Sequence, residues 1–333
     1  MRSATGNKRK PTIYDVAERV GMNASTVSRA LNKPGRINAA TEARIRAVAE
    51  ELGFRTNPSA RALHTGKTGT YALVVADITN PVHFELIRGA EEVARSAGYA
   101  LILSETQGSP EREHEAISAL QRSADGLLVI GSRLNGSQLA ELAEATPIVA
   151  ANHLADELPS VAPDPTSGYT AAVEHLAELG HRSLAYLSGP LAALNQSRWD
   201  LLFRLAVARG ISVVEIPLTG ATVAAGAEAV PRILASGSTS VLAYNDLVAH
   251  GVLREARAQG VIVPDRFSLV GFDDIFSAEL AVPSLTTVRT PLHEIGTTAM
   301  TLLIDDERNR TPSRELLPTE LIVRESTAPP PVG

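Results

Sequence analysis

The chain has 333 residues, a formal net charge of −6 and 44% hydrophobic residues, which is typical of a soluble globular protein with two or three domains. It contains no cysteine, and this excludes disulfides, thiol catalysis and cysteine-ligated metals. The sequence has no run of 18 apolar residues, and its basic N-terminus lacks the apolar stretch of a secretory signal. We therefore expect a cytoplasmic protein.

The charge is distributed unevenly along the chain. Residues 1–67 carry 13 basic and 5 acidic residues, whereas residues 68–333 carry 18 basic and 32 acidic residues. A basic head on an acidic body favours a nucleic-acid contact that is confined to the head. On charge alone, the alternative is a solvated basic tail. Residues 1–11 show no apolar periodicity and are expected to form a disordered basic arm.

Three short helices are predicted within residues 12–56. Thr12 and Asp15 fit a capping box at the start of the first helix, and Gly21 fits its end. Asparagine caps are predicted at the starts of the other two helices, at Asn23 and Asn38. Two helices joined by a tight turn, with a third in support, are typical of a helix-turn-helix head.

Beyond residue 70, short apolar runs alternate with helical segments. Eight runs have the length of a strand: 71–76, 100–104, 126–130, 147–151, 184–188, 213–216, 241–244 and 269–272. This alternation favours parallel sheets with helices on both faces. A weak internal parallel between residues 71–107 and 183–217 favours two doubly wound subdomains.

The motifs of the chain resemble those of the LacI/GalR family of bacterial regulators. In the head, the run TIYDVAERVGMNASTVSRALN at residues 12–32 carries the resemblance, and its TVSRALN part is the most specific. In the body, GHR at 180–182, SLVGFDD at 268–274 and PSLTTV at 283–288 carry it. The resemblance covers about residues 12–326. It implies a small all-α head and an α/β two-lobed body like that of periplasmic sugar-binding proteins.

This resemblance implies a division of the chain into five parts. They are a basic arm (1–11), a helix-turn-helix DNA-binding domain (12–56), a hinge helix and linker (57–69), an N-terminal effector subdomain (70–163 plus 290–313) and a C-terminal effector subdomain (164–289 plus 314–326).

The second predicted helix is expected to lie in the major groove. By the resemblance, Ala24, Ser25 and Arg29 read the bases. Arg29 has the clearest physical basis, because one guanidinium can bond to guanine O6 and N7 together. Phosphate contacts that set the register are expected from Tyr14, Thr26, Ser28 and Asn32.

The hinge helix is expected to enter the minor groove. By the resemblance, Leu63 inserts between base steps and Arg61 lies beside it. Such a wedge unstacks the bases but gains a bent duplex with more contacts. The alternative is that Leu63 anchors the helix on the body.

Ligands of two-lobed α/β proteins bind near the carboxyl ends of the strands, between the lobes. The resemblance assigns five polar residues to this site: His83, Asn152, Arg198, Asn245 and Asp273. A guanidinium, a carboxylate and amides together suit a ligand rich in hydroxyls. Arg198 is predicted to open a helix, and Asp246 and Asp274 are predicted to cap helices. Trp199 is either an aromatic platform for the ligand or a packing residue.

The sequence therefore predicts a transcription regulator, expected to be a repressor, that binds a pseudo-palindromic DNA operator as a homodimer. A small-molecule effector, expected to be a sugar or a related hydroxylated metabolite, would control it. No catalytic residue, cofactor or metal is predicted. The alternative is a cytoplasmic solute-binding protein without a regulatory role.

Overall fold

The computed structural model describes residues 11–32, 37–54, 67–190 and 192–331. The expected basic arm, apart from residue 11, and the expected hinge residues Arg61 and Leu63 lie outside this range. The chain divides into two compact units at residue 70, with residues 123–125 joining the first unit.

The first unit contains the three predicted helices: α1 (Ile13–Val20), α2 (Ala24–Asn32) and α3 (Ala39–Glu51). The predicted capping box is present, since the Thr12 N–H and hydroxyl both donate to Asp15 Oδ2, at 2.6 and 2.7 Å. Gly21 ends α1 with a positive φ of 70°, a conformation that favours glycine. The helices bury a common apolar core of Val16, Ala17, Val20, Val27, Ala30, Ile45 and Ala49.

The body contains two six-stranded sheets. The first has the order β11-β5-β4-β3-β1-β2. Its strands are β1 (Thr70–Val75), β2 (Ala100–Glu105), β3 (Leu127–Ile130), β4 (Ile148–Ala151), β5 (Ser160–Asp164) and β11 (Arg314–Pro318). Its helices are α4 (Val82–Ser96), α5 (Pro110–Leu120), α6 (Gly136–Ala143) and α12 (Leu292–Ile304). We call this layer the N-terminal lobe.

The second sheet has the order β12-β10-β9-β8-β6-β7. Its strands are β6 (Ser183–Ser188), β7 (Ser212–Pro217), β8 (Ser240–Ala243), β9 (Ser268–Asp273), β10 (Thr286–Arg289) and β12 (Glu320–Ile322). Its helices are α7 (Pro165–Glu178), α8 (Ala192–Ala208), α9 (Val223–Ser236), α10 (Asp246–Ala258) and α11 (Ser277–Leu280). Only β12 pairs antiparallel among the strand pairs of the described residues. We call this layer the C-terminal lobe.

All eight predicted strands are present within one or two residues, but four strands were not predicted: β5, β10, β11 and β12. These strands are short, and polar residues or prolines interrupt their apolar pattern, so periodicity alone does not reveal them. The predicted assignment of residues 314–326 to the C-terminal subdomain is wrong in its first part, because β11 pairs with β5 in the first sheet.

The chain crosses between the lobes three times, after β5, after β10 and after β11. The crossings are packed together at Gly168, where an added Cβ would lie 2.3 Å from Val288 Cγ1 and 2.6 Å from Thr319 Oγ1. The Thr319 hydroxyl donates to the Asp164 carbonyl oxygen at 2.8 Å. At this junction, segments that connect the two lobes are in contact with one another. Within the described part of the chain, no helix is long and apolar enough to cross a membrane.

Candidate functional site

The exposed face of α2 carries the residues predicted to read DNA. Ser25 and Arg29 are exposed and four residues apart, so they lie on one side of the helix. Ala24, Thr26 and Ser28 are half-buried beside them. Val27 and Ala30, on the opposite side, are fully buried in the head core and fix the orientation of the helix.

Tyr14 on α1 is 72% exposed, which leaves its ring free to contact a partner of the head. Asn32 is the last residue of α2. Acidic residues compensate part of the positive charge on α3, since Arg46 donates to Glu42 at 2.9 Å. On α2 itself, Arg29 is exposed and forms no ion pair with another described residue.

The N-terminal lobe positions His83 and Asn152 after strands β1 and β4. His83 is 5% exposed in the first turn of α4, and its Nδ1 has no hydrogen-bond partner among the described residues. Burial lowers the pKa of His83 to about 4, although the charge of Asp77 opposes the shift. The ring is therefore neutral at physiological pH. Asn152 directly follows β4, with a positive φ of 52°.

The C-terminal lobe holds Arg198 in a buried aromatic setting. The guanidinium carbon lies 4.1 Å from the centre of the Phe272 ring and 5.1 Å from that of Tyr244. Nη1 donates to the Tyr244 carbonyl oxygen at 3.2 Å. Arg198 does not open its helix as predicted, because α8 begins at Ala192, six residues earlier. It lies in the second turn, where packing on two rings fixes its plane.

Asp273 ends β9 beside Arg198 and has a positive φ of 110°. Burial raises the pKa of Asp273 to about 7, and the charge of Arg198 opposes this rise. No described residue donates a hydrogen bond to its carboxylate. Arg198 packs on Phe272, the residue before Asp273, so a cation lies near an acid whose pKa is raised toward neutral pH.

Asn245 has a structural role that the sequence did not predict. It is the N-cap of α10, where the Val248 N–H donates to Asn245 Oδ1 at 2.9 Å. Its Nδ2 donates to the Ala221 carbonyl oxygen at 3.3 Å. Both ends of this amide are therefore engaged by the protein, although its position one residue after Tyr244 keeps it near Arg198.

The predicted caps at Asp246 and Asp274 are wrong. Asp246 is fully buried and accepts from Thr287 Oγ1 at 2.6 Å and from the Ile275 N–H at 2.9 Å. Burial raises its pKa well above the ordinary value. Asp274 pairs with Arg289 at 2.7 Å and with Arg324 at 2.8 Å. Asp246 thus holds the backbone at Ile275, and Asp274 is held by two arginine side chains.

Trp199 is a packing residue. Its ring stacks on Tyr186 with centres 6.1 Å apart, and it packs against the core of the C-terminal lobe. The aromatic residues that contact Arg198 are Phe272 and Tyr244 instead. Tyr244 was not predicted as a site residue, although its place at the carboxyl end of the β8 run is the same signal that indicated Asn245.

Arg133 lies in the loop that follows β3 and was not predicted as a site residue. A Cβ at Gly131 in the same loop would lie 4.0 Å from His83 Cε1, so the loop passes beside this predicted site residue. The charge of Arg133 opposes the rise in the pKa of Tyr244 that burial causes. The structure brings Arg198 into contact with Tyr244 and with Phe272, the residue before Asp273. It records no direct contact between Asn152 and the residues of the C-terminal lobe.

A helix-turn-helix head joined to a two-lobed body with a polar site between its lobes defines a DNA-binding regulator of the ligand-responsive class. Two family models match the chain: the lacI family of bacterial regulatory proteins at residues 12–57, and the periplasmic binding protein-like domain at residues 173–327.

Two relatives match nearly the whole chain. The transcriptional regulator DegA of Bacillus subtilis is 35% identical and covers 96% of this chain and 99% of its own length. The transcriptional repressor CytR of Escherichia coli is 32% identical, and the match covers 95% of this chain and 96% of CytR. The chain belongs to the lacI family of bacterial regulatory proteins, and it is a transcription regulator rather than an enzyme.

Two solved structures are also similar. The lac repressor dimer bound to operator and an anti-inducer has a TM-score of 0.85, with 23% identity, and the match covers 96% of this chain and 100% of that one. A LacI family regulator from Enterococcus faecalis with bound ribose has a TM-score of 0.69 and 31% identity. The match covers 78% of this chain and 99% of that one.

Proposed function

We propose that this protein is an operator-binding repressor whose DNA affinity depends on a sugar-like effector bound between the lobes of its body. The observation that carries the proposal is that one chain has an exposed Ser25–Arg29 face on α2 and, in its body, a buried Arg198 packed on the residue before Asp273. The similar E. faecalis regulator has bound ribose, and CytR is named a repressor. The protein would work in the cytoplasm, where its DNA target lies.

For the head, the proposal assigns base contacts to Ala24, Ser25 and Arg29. The phosphate contacts are assigned to Tyr14, Thr26, Ser28 and Asn32. An exposed guanidinium on a groove helix supports the first assignment, because each bidentate contact discriminates bases by about 1–3 kcal/mol. Leu63 would act as the minor-groove wedge, with Arg61 beside it.

For the body, the proposal assigns effector contacts to His83, Asn152, Arg198 and Asp273. Asn245 contributes mainly by capping α10 beside the site, since its amide is already engaged. A ligand that binds between the lobes shifts the equilibrium between their arrangements. The size of the shift equals the difference in its binding free energy between those arrangements. The dimer would transmit that change to the two heads.

A homodimer is supported by apolar rings at the surface of the body. Phe84 of α4 and Phe276 before α11 stack with centres 6.3 Å apart, yet they are 44% and 65% exposed. Leu280 and Val282 nearby are more exposed still, at 72% and 78%. A contiguous exposed apolar surface of this kind marks an interaction site, and a second copy of the chain would cover it.

The test is a mobility-shift titration of the full-length protein against the DNA upstream of its own coding sequence, with and without ribose as a probe. We expect a specific shift for the wild type and a loss of most operator affinity in Leu63→Ala, while Ser59→Ala in the same segment serves as control. Unchanged operator affinity in Leu63→Ala contradicts the wedge. If no specific shift is observed for the wild type, the solute-binding alternative is favoured.

A further inference from the structure

Arg133 carries an unpaired group at the carboxyl edge of the first sheet, the edge at which His83 and Asn152 also lie. It lies in the loop after β3, and its Nε is buried without a hydrogen-bond partner among the described residues. Nε lies 3.9 Å from the place that a Cβ at Gly108 would take. Gly108 follows β2, so the side chain passes over the carboxyl ends of neighbouring strands. A buried N–H without a partner is costly, and a ligand that accepts from it removes that cost.

The loop around Arg133 is held firmly by Glu113. The Arg133 backbone N–H donates to Glu113 Oε2 at 2.9 Å, and the Ser132 hydroxyl donates to Glu113 Oε1. Glu113 is 2% exposed in α5. This carboxylate therefore bonds to the backbone and the hydroxyl of the loop, and no ion pair joins it to the Arg133 guanidinium. The backbone of Arg133 is therefore fixed, while its guanidinium stays available to a ligand.

Two guanidinium groups act on Tyr244. Arg198 contacts the Tyr244 ring from within the C-terminal lobe, and the charge of Arg133, which belongs to the N-terminal lobe, opposes the rise in the pKa of Tyr244. The acidic groups on this side of the lobes are Asp273 beside Arg198, Asp77 beside His83, and Glu113. Asp273 can balance Arg198, whereas Arg133 has no carboxylate partner among the described side chains.

We propose that Arg133 recognises an anionic group on the effector, so that the effector is a sugar acid or a sugar phosphate rather than a neutral sugar. The inference rests on the proposed function, since it names the class of ligand for the same site. The planar fork of arginine suits the two oxygens of a carboxylate or a phosphate, and such charge-assisted bonds are about twice as strong as neutral ones. Arg198 and Asp273 remain for the sugar hydroxyls.

The test is isothermal titration of the full-length protein with two matched sets of probes. One set is ribose, ribonate and ribose 5-phosphate, and the other is glucose, gluconate and glucose 6-phosphate. We expect at least one anionic member to bind tenfold or more tightly than its neutral parent. Comparing the acid with the phosphate distinguishes the two sources of negative charge.

Variants at Arg133 show whether this residue carries the preference. Arg133→Gln is expected to abolish the anion preference while leaving the affinity for the neutral parent within about twofold. Arg133→Lys keeps the positive charge but loses the planar guanidinium, so it should retain part of the preference for anionic probes. Arg122→Gln, at an exposed arginine of the same lobe, is the matched control and should behave as the wild type. Thermal unfolding checks that each variant is folded.

Three outcomes overturn the inference: no anionic probe binds, neutral parents bind as tightly as their anions, or Arg133→Gln weakens both kinds of probe equally. The last outcome would make Arg133 a residue that holds the lobes together. The operator shift is measured on the same samples. A protein that binds its operator and responds to a neutral sugar retains the proposed function while this inference fails.

Discussion

Arg198 donates a hydrogen bond to the carbonyl oxygen of Tyr244 at 3.2 Å, and the ring of the same tyrosine lies 5.1 Å from the guanidinium carbon. The backbone and the ring of one residue thus fix the plane of one cation. A side chain held in this way loses little entropy when a ligand binds to its remaining N–H groups. This relationship makes Arg198 the most rigid polar group of the site.

The first prediction concerns the shape of this cation. Arg198→Lys keeps the positive charge but loses the planar group that packs on Phe272 and Tyr244. We expect effector affinity to fall by tenfold or more and stability to fall by about 1–2 kcal/mol. Isothermal titration and chemical denaturation measure the two effects. Arg204→Lys, at an exposed position on the same helix, is the control and should change neither.

The second prediction concerns the pH dependence of Asp273. Its pKa is raised to about 7 in the folded protein, so the folded state holds a proton that the unfolded state releases near pH 4. Stability from this group therefore falls as pH rises from about 4 to 7. Asp273→Asn removes the free-energy cost of ionising this carboxyl group in the folded protein. The variant should therefore melt at a higher temperature than the wild type, and the difference should be larger at pH 8 than at pH 5.

Scanning calorimetry at the two pH values measures this difference. Asp265→Asn, at an exposed acid of the C-terminal lobe, controls for the loss of a negative charge. A stability difference for Asp273→Asn that stays constant between pH 5 and pH 8 would contradict the assignment. The ligand affinity of the wild type should rise over the same range if the ionised carboxylate accepts from effector hydroxyls.

The third prediction concerns the contact between α4 and α12. A Cβ at Gly296 would lie 2.1 Å from the Leu86 carbonyl oxygen, and one at Gly89 would lie 2.2 Å from the His293 carbonyl oxygen. Because neither glycine has a side chain, the backbones of the two helices can lie in close contact. Gly296→Ala should destabilise the protein by about 1–3 kcal/mol, because the helices must separate.

Urea denaturation measures this cost. Thr301→Ala, at an exposed position of α12, should change the free energy of unfolding by no more than about 0.5 kcal/mol. A Gly296→Ala variant as stable as the wild type would show that the two helices can separate without cost.

The fourth prediction concerns DNA specificity. Arg29 is exposed on α2 and makes no ion pair with another described residue. Arg29→Ala should weaken binding to the operator by about 1–3 kcal/mol and relax specificity at one base pair. Arg19→Ala on α1 is the control, since Arg19 pairs with Glu51 at 3.0 Å. Equal losses on operator and on unrelated DNA would instead indicate a phosphate contact for Arg29.

The sequence alone determined the class of the protein and most of its elements. Helical caps such as the Thr12–Asp15 box, and the apolar runs of the long strands, are set by neighbours in the chain. Such local patterns specify secondary structure, because hydrogen bonds and apolar periodicity act over a few residues. Arg198 and Asp273 were indicated as site residues by the resemblance of their motifs to those of the family.

Tertiary structure decided what local patterns do not contain. The strand β11 exists because β5 offers it an edge in the first sheet. Asn245, expected to face a ligand, is used as a cap by its own helix, and Asp246 is buried against Thr287. The fold buries Arg133 Nε near Gly108 without a hydrogen-bond partner among the described residues, and the local sequence does not indicate this. Burial, charge partners and contacts between distant segments depend on the whole fold, and these quantities determine which polar residues remain available to a ligand.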